Sequence, residues 1–281
     1  MQRRGFLGAL GAVASSLAVG GAAGACARAE SGGRALGPIG LQLYTVRSLM
    51  GDDVQGTLAR VAGVGYDEVE FAGYFEHAPA ALRRILDDHG LSAPSAHVPF
   101  DALDGDGWAR AIDAAHVLGH RYLVIAWVPP EARITLDDYR RLTERFERAG
   151  EQAADAGLRF AYHNHEFEFE PIEGGVPYDI LADADPAFVD LQLDLFWIRH
   201  AGRDPLEYFE RHPGRFPLVH VKDMAPGGEM VDVGTGAIDW ARIFAQAQRA
   251  GIRHYFVEHD EPADPISSIT RSLNYLQRLE V

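Results

Sequence analysis

The segment VDLQLDLFWIRHAGRDPLEYFERHPGRFPLVH, residues 189–220, reads as one complete strand-helix-strand unit. The apolar run at 189–194 predicts a buried strand. Residues 204–212 then carry apolar side chains three or four positions apart, which is the spacing of a helix with one buried face. A second apolar run at 218–220 predicts another strand. This order predicts two parallel strands joined by a right-handed crossover.

The same alternation extends in both directions from this unit. Apolar runs predict strands at 39–44, 68–71, 92–97, 122–126, 159–163, 189–194, 218–220 and 255–258. Segments of helical period predict helices at 53–64, 78–90, 107–119, 137–157, 176–184, 204–212, 238–250 and 265–279. Glycines that suit a helix end follow five of them, at Gly65, Gly90, Gly119, Gly157 and Gly251. Eight pairs predict an α/β fold, a single (β/α)₈ TIM barrel.

A doubly wound open sheet is the structural alternative. It commonly carries a glycine-rich dinucleotide fingerprint after its first strand. Residues 41–47 read LQLYTVR instead, without a glycine. The barrel is therefore the preferred prediction.

Length and charge limit the classes of function. The chain has 281 residues and a formal net charge of −15 at pH 7. We assign residues 37–281 to one catalytic barrel, because about 250 residues is the usual size of this fold. The acidic excess argues against nucleic acid and anionic membranes as partners, since both are held by surplus Lys and Arg. The oligomeric state stays open, and a homo-oligomer is one option.

Residues 1–36 differ from the rest of the chain. Arg3-Arg4-Gly5-Phe6-Leu7 precedes an apolar stretch rich in Gly and Ala, and this order predicts a twin-arginine export signal with a linker, hence a periplasmic protein. The stretch is short for a membrane span, which needs about 20 apolar residues. Two processing routes stay open: cleavage after Ala29, or lipid attachment at Cys26. Cys26 is the only cysteine in the chain, so an internal disulfide is excluded.

Polar side chains collect at the carboxyl ends of the predicted strands. In a barrel these ends meet at one face, where the active sites of such barrels lie. The residues are Glu70, His97, His163, His165, Asp194, His220 and Glu258.

Asp194, His220 and Glu258 come from three neighbouring predicted strands and form a candidate metal site. Each has a structural alternative, because Asp194 also suits a helix cap and His220 also suits a hydrogen-bonded core histidine. A carboxylate that follows an apolar run is costly without a partner, which favours the ligand role. Mixed oxygen and nitrogen ligands suit one divalent ion, Mn²⁺, Co²⁺, Mg²⁺ or Zn²⁺.

Lys222 is the only lysine in the chain. It lies two residues after His220 on an extended segment and so is expected on the same side. An amine can act as an acid or a base where a guanidinium cannot, so Lys222 is a candidate for proton transfer. Histidines at 116, 120 and 212 are expected to be solvated helix residues.

Several motifs together resemble the sugar phosphate isomerase/epimerase family of xylose isomerase-like barrels. They are GLQLYTVR at 40–47, YHNHEFEF at 162–169, Asp194 followed by GRDP at 202–205, HVKD at 220–223, VGTG at 233–236 and Val257-Glu258. The resemblance covers residue 39 to the end of the chain.

The resemblance implies a metal held by side chains of strands five to eight. Asp194, His220 and Glu258 match three of the family's ligands. His163 stands where the family's epimerases have a Glu, so the site has one proton-transfer carboxylate fewer, and whether His163 or His165 faces the ion stays open. Glu258, Lys222 and His165 are the candidates for moving the substrate proton.

Glu70, His97 and Trp197 are expected to contact the substrate, although Glu70 and His97 are equally suited to structural hydrogen bonds. The resemblance implies an enzyme that forms an enediolate from a small carbohydrate. Isomerisation or epimerisation is one outcome, and β-elimination from a keto-glycoside or keto-sugar is the other. A sugar-binding protein without activity is the alternative from another class.

Overall fold

The computed structural model describes residues 36–281, in which eight parallel strands close into a barrel. The strands are β1 (Ile39–Gln42), β2 (Glu68–Ala72), β3 (Ser92–Val98), β4 (Tyr122–Ile125), β5 (Arg159–His163), β6 (Val189–Asp194), β7 (Leu218–Val221) and β8 (His254–Val257). Each strand pairs with its sequence neighbours, and β8 pairs with β1 to complete the ring. The predicted TIM barrel is thereby confirmed.

Helices follow the strands on the outside of the barrel. They are α1 (Arg47–Asp52), α2 (Val54–Val64), α3 (Pro79–His89), α4 (Gly107–Leu118), α5 (Leu136–Asp155), α6 (Pro177–Ala182), α7 (Leu195–His200), α8 (Pro205–Arg211), α9 (Trp240–Phe244), α10 (Ala247–Ala250) and α11 (Pro265–Leu276). Within residues 36–281 there is no helix with the length and apolar character needed to cross a membrane.

Local sequence explains where the helices begin and end. The Thr135 hydroxyl accepts a hydrogen bond from the Asp138 backbone, and the Asp138 carboxylate accepts one from Thr135, so a capping box begins α5. Gly65 ends α2 with φ of 112°, a left-handed conformation that costs glycine little.

The inside of the barrel is filled near its amino end by side chains from four strands. Tyr122 and Val124 of β4 meet Ala161, Leu218 and Phe256 in a buried cluster. Gly40 of β1 leaves room for this packing, because a Cβ atom there would lie 2.5 Å from the Phe256 ring. The barrel is therefore closed beneath its carboxyl end.

The described chain begins and ends on the same side of the molecule. Leu36 and Val281 both line a cavity next to Tyr255, near the amino end of β8. The carboxyl ends of the strands lie at the opposite face. The predicted export segment and Cys26 fall outside the described residues, apart from Leu36.

Some element boundaries differ from the predictions. β1 ends at Gln42 rather than residue 44, because the Gln42 side chain accepts a hydrogen bond from the Tyr44 backbone and starts a 3₁₀ turn. β8 ends at Val257, so Glu258 follows the strand. The predicted helix at 238–250 is two short helices. A hairpin of Asp223–Met224 with Met230–Val231 and the helices α1 and α7 were not predicted.

The prediction that His120 is a solvated helix residue is wrong. Its side chain is buried, its Nδ1 lies 2.6 Å from the Ala93 carbonyl oxygen, and its ring stacks on Tyr74 at 6.1 Å. Burial lowers the pKa of His120 to about 4. His116, by contrast, is exposed as predicted.

Candidate functional site

Four buried side chains meet at the carboxyl face of the barrel. His163 ends β5, Asp194 ends β6, His220 lies in β7 and Glu258 follows β8. Asp194 and His220 are paired directly across β6 and β7, and the Glu258 backbone donates to the Val221 carbonyl. We call these four side chains the ligand group.

Three members of the ligand group, Asp194, His220 and Glu258, have nitrogen and oxygen atoms close enough to share a cation, and His163 approaches one of them. His220 Nδ1 is 2.6 Å from Glu258 Oε2 and 3.9 Å from Asp194 Oδ2. His163 Nε2 is 3.7 Å from the same Asp194 oxygen. The candidate ligand atoms of Asp194, His220 and Glu258 all lie within 4.8 Å of one another. This spacing fits one ion with ligands at about 2.0–2.2 Å.

The side chain of Asp194 is placed both to cap a helix and to bind an ion. Its Oδ1 accepts hydrogen bonds from the backbone of Phe196 and Trp197, both 2.9 Å long, and so caps α7. Its Oδ2 is buried and has no hydrogen bond. Burial raises the pKa of Asp194, although the charges of Lys222 and His220 oppose this shift. This buried carboxylate oxygen faces two imidazoles and the Lys222 ammonium, so its surroundings suit a positive charge.

Hydrogen bonds to Gln192 orient the histidines. The Gln192 amide donates to Glu70 at 2.7 Å, which leaves Oε1 as an acceptor. That oxygen lies 3.1 Å from His163 Nδ1 and 2.8 Å from His97 Nε2. Both nitrogens are therefore assigned as donors, and His163 Nε2 keeps a lone pair directed towards Asp194. Of the two histidines, His163 is therefore the one with a nitrogen that faces Asp194.

A second histidine set, His97 with His163 and His220, also meets the spacing of a metal site. His97 Nε2 lies 2.8 Å from Gln192 Oε1 and 3.2 Å from Glu70 Oε2, so it is occupied as a donor. The set that contains Asp194 and Glu258 is therefore the better metal site.

Glu70 occupies the layer beneath the ligand group. Its side chain is completely buried. Its carboxylate lies within hydrogen-bonding distance of five side chains: Gln42 (2.8 Å), Ser95 (2.5 Å), His97 (3.2 Å), Gln192 (2.7 Å) and His220 (2.5 Å). Burial alone would raise the pKa of Glu70, but His97 and His220 hold it well below its usual value. The carboxylate of Glu70 is therefore engaged in structural hydrogen bonds, the predicted alternative to a substrate contact.

Lys222 lies among the carboxylates of the site. Its side chain is 2% exposed, and its Nζ lies 2.7 Å from Glu258 Oε2, 3.1 Å from Asp194 Oδ2 and 2.9 Å from Asp260 Oδ1. Burial would lower the pKa of Lys222, but the three carboxylates raise it well above its usual value. Burial would likewise raise the pKa of Glu258, but Lys222 and His220 lower it strongly. Both groups are charged, and Lys222 is an ammonium rather than a free base.

His165 is held by aromatic neighbours. Its ring stacks on Phe167 at 5.5 Å and meets Trp127 edge-on at 5.2 Å and Trp197 at 5.7 Å. The His165 backbone donates to Glu168 at 2.8 Å, which fixes the turn after β5. Its Nδ1 is buried without a hydrogen bond. Burial, followed by the charge of Lys222, lowers the pKa of His165 to about 3, so the ring is neutral.

A cavity opens above the ligand group. Five predicted site residues line it: His97, His163, His165, Lys222 and Glu258. Tyr44, Trp127 and Asp260 also line it and were not predicted as site residues. Tyr44 and Trp127 are 41% and 49% exposed, which places aromatic surface at the cavity mouth. Trp197 contacts His165 and lies beside Lys222, whose Nζ is 5.8 Å from the Trp197 ring centre.

Comparisons with known proteins agree with this architecture. Residues 58–279 match the family described as xylose isomerase-like TIM barrel. An inosose dehydratase of Lacticaseibacillus casei is 22% identical over 255 residues, which cover 75% of this chain and 85% of that protein.

Solved structures give the same result. A sugar phosphate isomerase/epimerase of Parabacteroides distasonis superposes with a TM-score of 0.75 at 28% identity, and the match covers 85% of this chain and 93% of the other. The IolI protein, solved with a zinc atom bound, shares the fold with a TM-score of 0.69 at 17% identity, over 86% of this chain and 98% of its own.

Proposed function

This chain belongs to the xylose isomerase-like TIM barrel family, and on that premise we propose that it is a metal-dependent enzyme that enolises a keto-carbohydrate and eliminates a β-substituent from it. The observation that carries the proposal is the convergence of Asp194, His220 and Glu258 below an open cavity, with His163 Nε2 3.7 Å from the same Asp194 oxygen. Isomerisation or epimerisation shares the first half of this reaction and is the alternative outcome.

The ligand group would hold the ion through His163 Nε2, Asp194 Oδ2, His220 Nδ1 and the Glu258 carboxylate. A divalent ion bound there would polarise a substrate carbonyl and stabilise the negative charge that follows loss of the α-proton. Two imidazoles beside two carboxylates suit Zn²⁺, Co²⁺ or Mn²⁺ better than Mg²⁺. Glu70 and Gln192 keep both ligating imidazoles in the required tautomer.

We assign the proton transfer to His165. Its neutral ring lines the cavity beside Lys222 and Glu258. An imidazole nitrogen would take the α-proton, and the electron pair of the broken C–H bond would form the enolate. The enolate would then expel the β-oxygen, which would leave with the proton returned by His165. The products are an unsaturated ketone and water or an alcohol.

Elimination is favoured over two-base epimerisation by the environment of His163. Its Nδ1 is bonded to Gln192 and its Nε2 faces Asp194, so it has no free position for substrate protons. Of the other candidates for proton transfer, Glu258 would be a ligand of the ion and Lys222 is paired with Asp260 as well as with Glu258, so neither is free to carry the proton. An elimination needs only one group that takes and then returns a proton.

The substrate that fits best is an unphosphorylated cyclic ketone such as a keto-inositol or a 3-keto-glycoside. Lys222 is the one Lys or Arg among the nine residues lining the cavity, and it is already paired with three carboxylates. A phosphate group would need more unpaired positive charge. The similarity to an inosose dehydratase supports this class of substrate.

Proton NMR in deuterated water tests the proposal. The protein would be loaded with Zn²⁺, Co²⁺ or Mn²⁺ and mixed with a keto-inositol or a 3-keto-glycoside. We expect a new vinyl signal from the eliminated product, and deuterium at the α-carbon of recovered ketone whose enolate is reprotonated before the β-oxygen leaves; both should be slowed about 100-fold or more in His165→Asn. The exposed His116→Asn is the matched control and should behave as wild type.

The other outcomes separate the alternatives. Exchange without a vinyl signal would point to an isomerase or epimerase. Tight binding of the sugar without exchange would refute catalysis and leave a binding protein.

We also propose that residues 1–36 export the folded enzyme to the periplasm by the twin-arginine route, with Cys26 as a candidate lipid anchor. The support is the order of charged, apolar and small residues in that segment. Replacing Arg3 and Arg4 with Lys should retain the protein in the cytoplasmic fraction. Unchanged secretion of that variant would contradict the proposal.

A further inference from the structure

We propose that Lys222 is a built-in cation of the ligand group, and that a divalent ion enters only when the ammonium moves from Asp194 and Glu258 onto Asp260. The proposal rests on the metal site of the proposed function. It assigns to Asp260 the task of accepting Lys222.

The ammonium and the ion would use the same atoms. Asp194 Oδ2 lies 3.1 Å from Lys222 Nζ and is also the oxygen that faces His163 Nε2 and His220 Nδ1. Glu258 Oε2 lies 2.7 Å from Nζ and 2.6 Å from His220 Nδ1. An ion coordinated by these oxygens would sit next to a positive charge inside a buried site. Coulomb repulsion between two cations at such a distance is large where water is excluded.

Asp260 offers a place for the displaced ammonium. Its Oδ1 already accepts a hydrogen bond from Lys222 Nζ at 2.9 Å. Its backbone is anchored on both sides, because Arg47 donates to its carbonyl at 2.6 Å and its own N–H approaches the Met230 sulfur at 3.2 Å. The Asp260 side chain is 28% exposed, so it lies nearer the solvent than the ligand group. The four-carbon stem of lysine allows such a movement without a change in the backbone.

Two consequences follow for the metal-free protein. Lys222 neutralises carboxylates that would otherwise repel each other, so the site can fold before an ion arrives. The same contact weakens ion binding, because the ammonium must first be displaced.

Metal titration of four variants tests the proposal. Isothermal calorimetry with Zn²⁺ on wild type, Lys222→Met, Asp260→Asn and the double variant forms a thermodynamic cycle. We expect Lys222→Met to bind about tenfold or more tightly than wild type, and Asp260→Asn to bind several-fold more weakly. In the Lys222→Met background, Asp260→Asn should have no effect, because Asp260 acts through the lysine.

Charge-matched controls separate displacement from general electrostatics. Arg242→Met removes a positive charge from the outer surface, and Glu261→Gln removes a negative charge next to Asp260 from a side chain that is 83% exposed. Neither should change the affinity more than twofold. An Asp260→Asn effect that persists in the Lys222→Met background would overturn the role given to Asp260.

A second measurement needs no variant. Lys222 is the only lysine, so the fraction of it that a water-soluble, amine-reactive reagent acetylates can be measured on one peptide by mass spectrometry. Movement towards Asp260 should make the amine several-fold more reactive when Zn²⁺ is added. Unchanged or lower reactivity would mean that the ammonium shares the carboxylates with the ion, and the proposal would fail.

The outcomes also separate this proposal from the proposed function. If wild type binds Zn²⁺ but Lys222→Met binds it no more tightly, only the displacement by lysine is refuted. If no form binds an ion, both fail. If Lys222→Met binds Zn²⁺ and wild type does not, the ammonium blocks the site without being displaced, and both the displacement and the metal dependence of the wild-type enzyme are refuted.

Discussion

The barrel holds two sets of buried carboxylates that differ in how their oxygens are satisfied. On the β1–β3 side, Glu70 is surrounded by five polar side chains and both its oxygens are engaged. On the β6–β8 side, Asp194 has an oxygen with no hydrogen bond, and Glu258 has only cationic or imidazole partners. A carboxylate that accepts hydrogen bonds from five fixed side chains stabilises the site, whereas one that faces a lysine ammonium and imidazoles can exchange the ammonium for an ion. The comparison predicts that substitutions on the two sides fail in different ways.

Glu258→Gln should give the largest effect, on the reaction rather than on the fold. The amide removes a charge from the ligand group, and loss of the stabilised enolate is expected to lower kcat/KM by about 10³-fold or more. Proton exchange by NMR and thermal unfolding by circular dichroism measure the two quantities. Glu261→Gln, three residues away and exposed, is the control. Full activity in Glu258→Gln would refute its role.

Glu70→Gln should act on stability and on the ion together. Replacing a buried charge that is bonded to His220 and Gln192 should lower the free energy of unfolding by about 3 kcal/mol. It should also weaken metal binding about 10–100-fold, because the ligating imidazoles lose their orientation. Urea denaturation and calorimetry give both values. A loss of activity at unchanged stability and metal affinity would instead make Glu70 a substrate contact.

His120 should give the smallest effect on the reaction, and its effect on the pH dependence of stability should appear only at acidic pH. Its pKa is lowered to about 4 in the folded chain, against about 6.5 when unfolded, so the unfolded chain binds the proton more tightly. Its stabilising contribution is therefore present above pH 6.5 and is lost as the pH falls towards 4, by at most about 3 kcal/mol.

The difference between wild type and His120→Asn isolates this contribution, because His163 and His165 titrate in the same direction in both proteins. Urea denaturation at pH 7.5, 6, 5 and 4.5 should show a flatter profile for the variant. Parallel profiles would show that His120 is protonated without cost.

Much of the ligand group follows from the sequence because strand ends define it. Asp194, His220 and Glu258 each come directly at or after an apolar run, so the closure of a barrel brings them together. The same logic placed Lys222 on their side of β7. The fold could be predicted because apolar runs typical of strands alternate with segments of helical spacing. The short helix α7 could not be predicted, because its apolar residues continue the apolar run of β6.

The hydrogen bonds of Glu70 could not be predicted from any local sequence pattern. A register shift between β2 and β3 places Ser95 opposite Glu70, and Gln192 reaches it from 122 residues away. Asp260 pairs with Lys222 across 38 residues for the same reason. Tyr44 and Trp127 were missed because exposure at a cavity mouth depends on how separate loops meet.

The position of Leu36 and Val281 beside one cavity has a practical consequence. Both lie at the end of the barrel remote from the cavity above the ligand group, so a bead, an electrode coating or a fused partner attached at either residue would leave that cavity open. The described barrel can therefore be attached from either of these residues without covering the carboxyl ends of its strands.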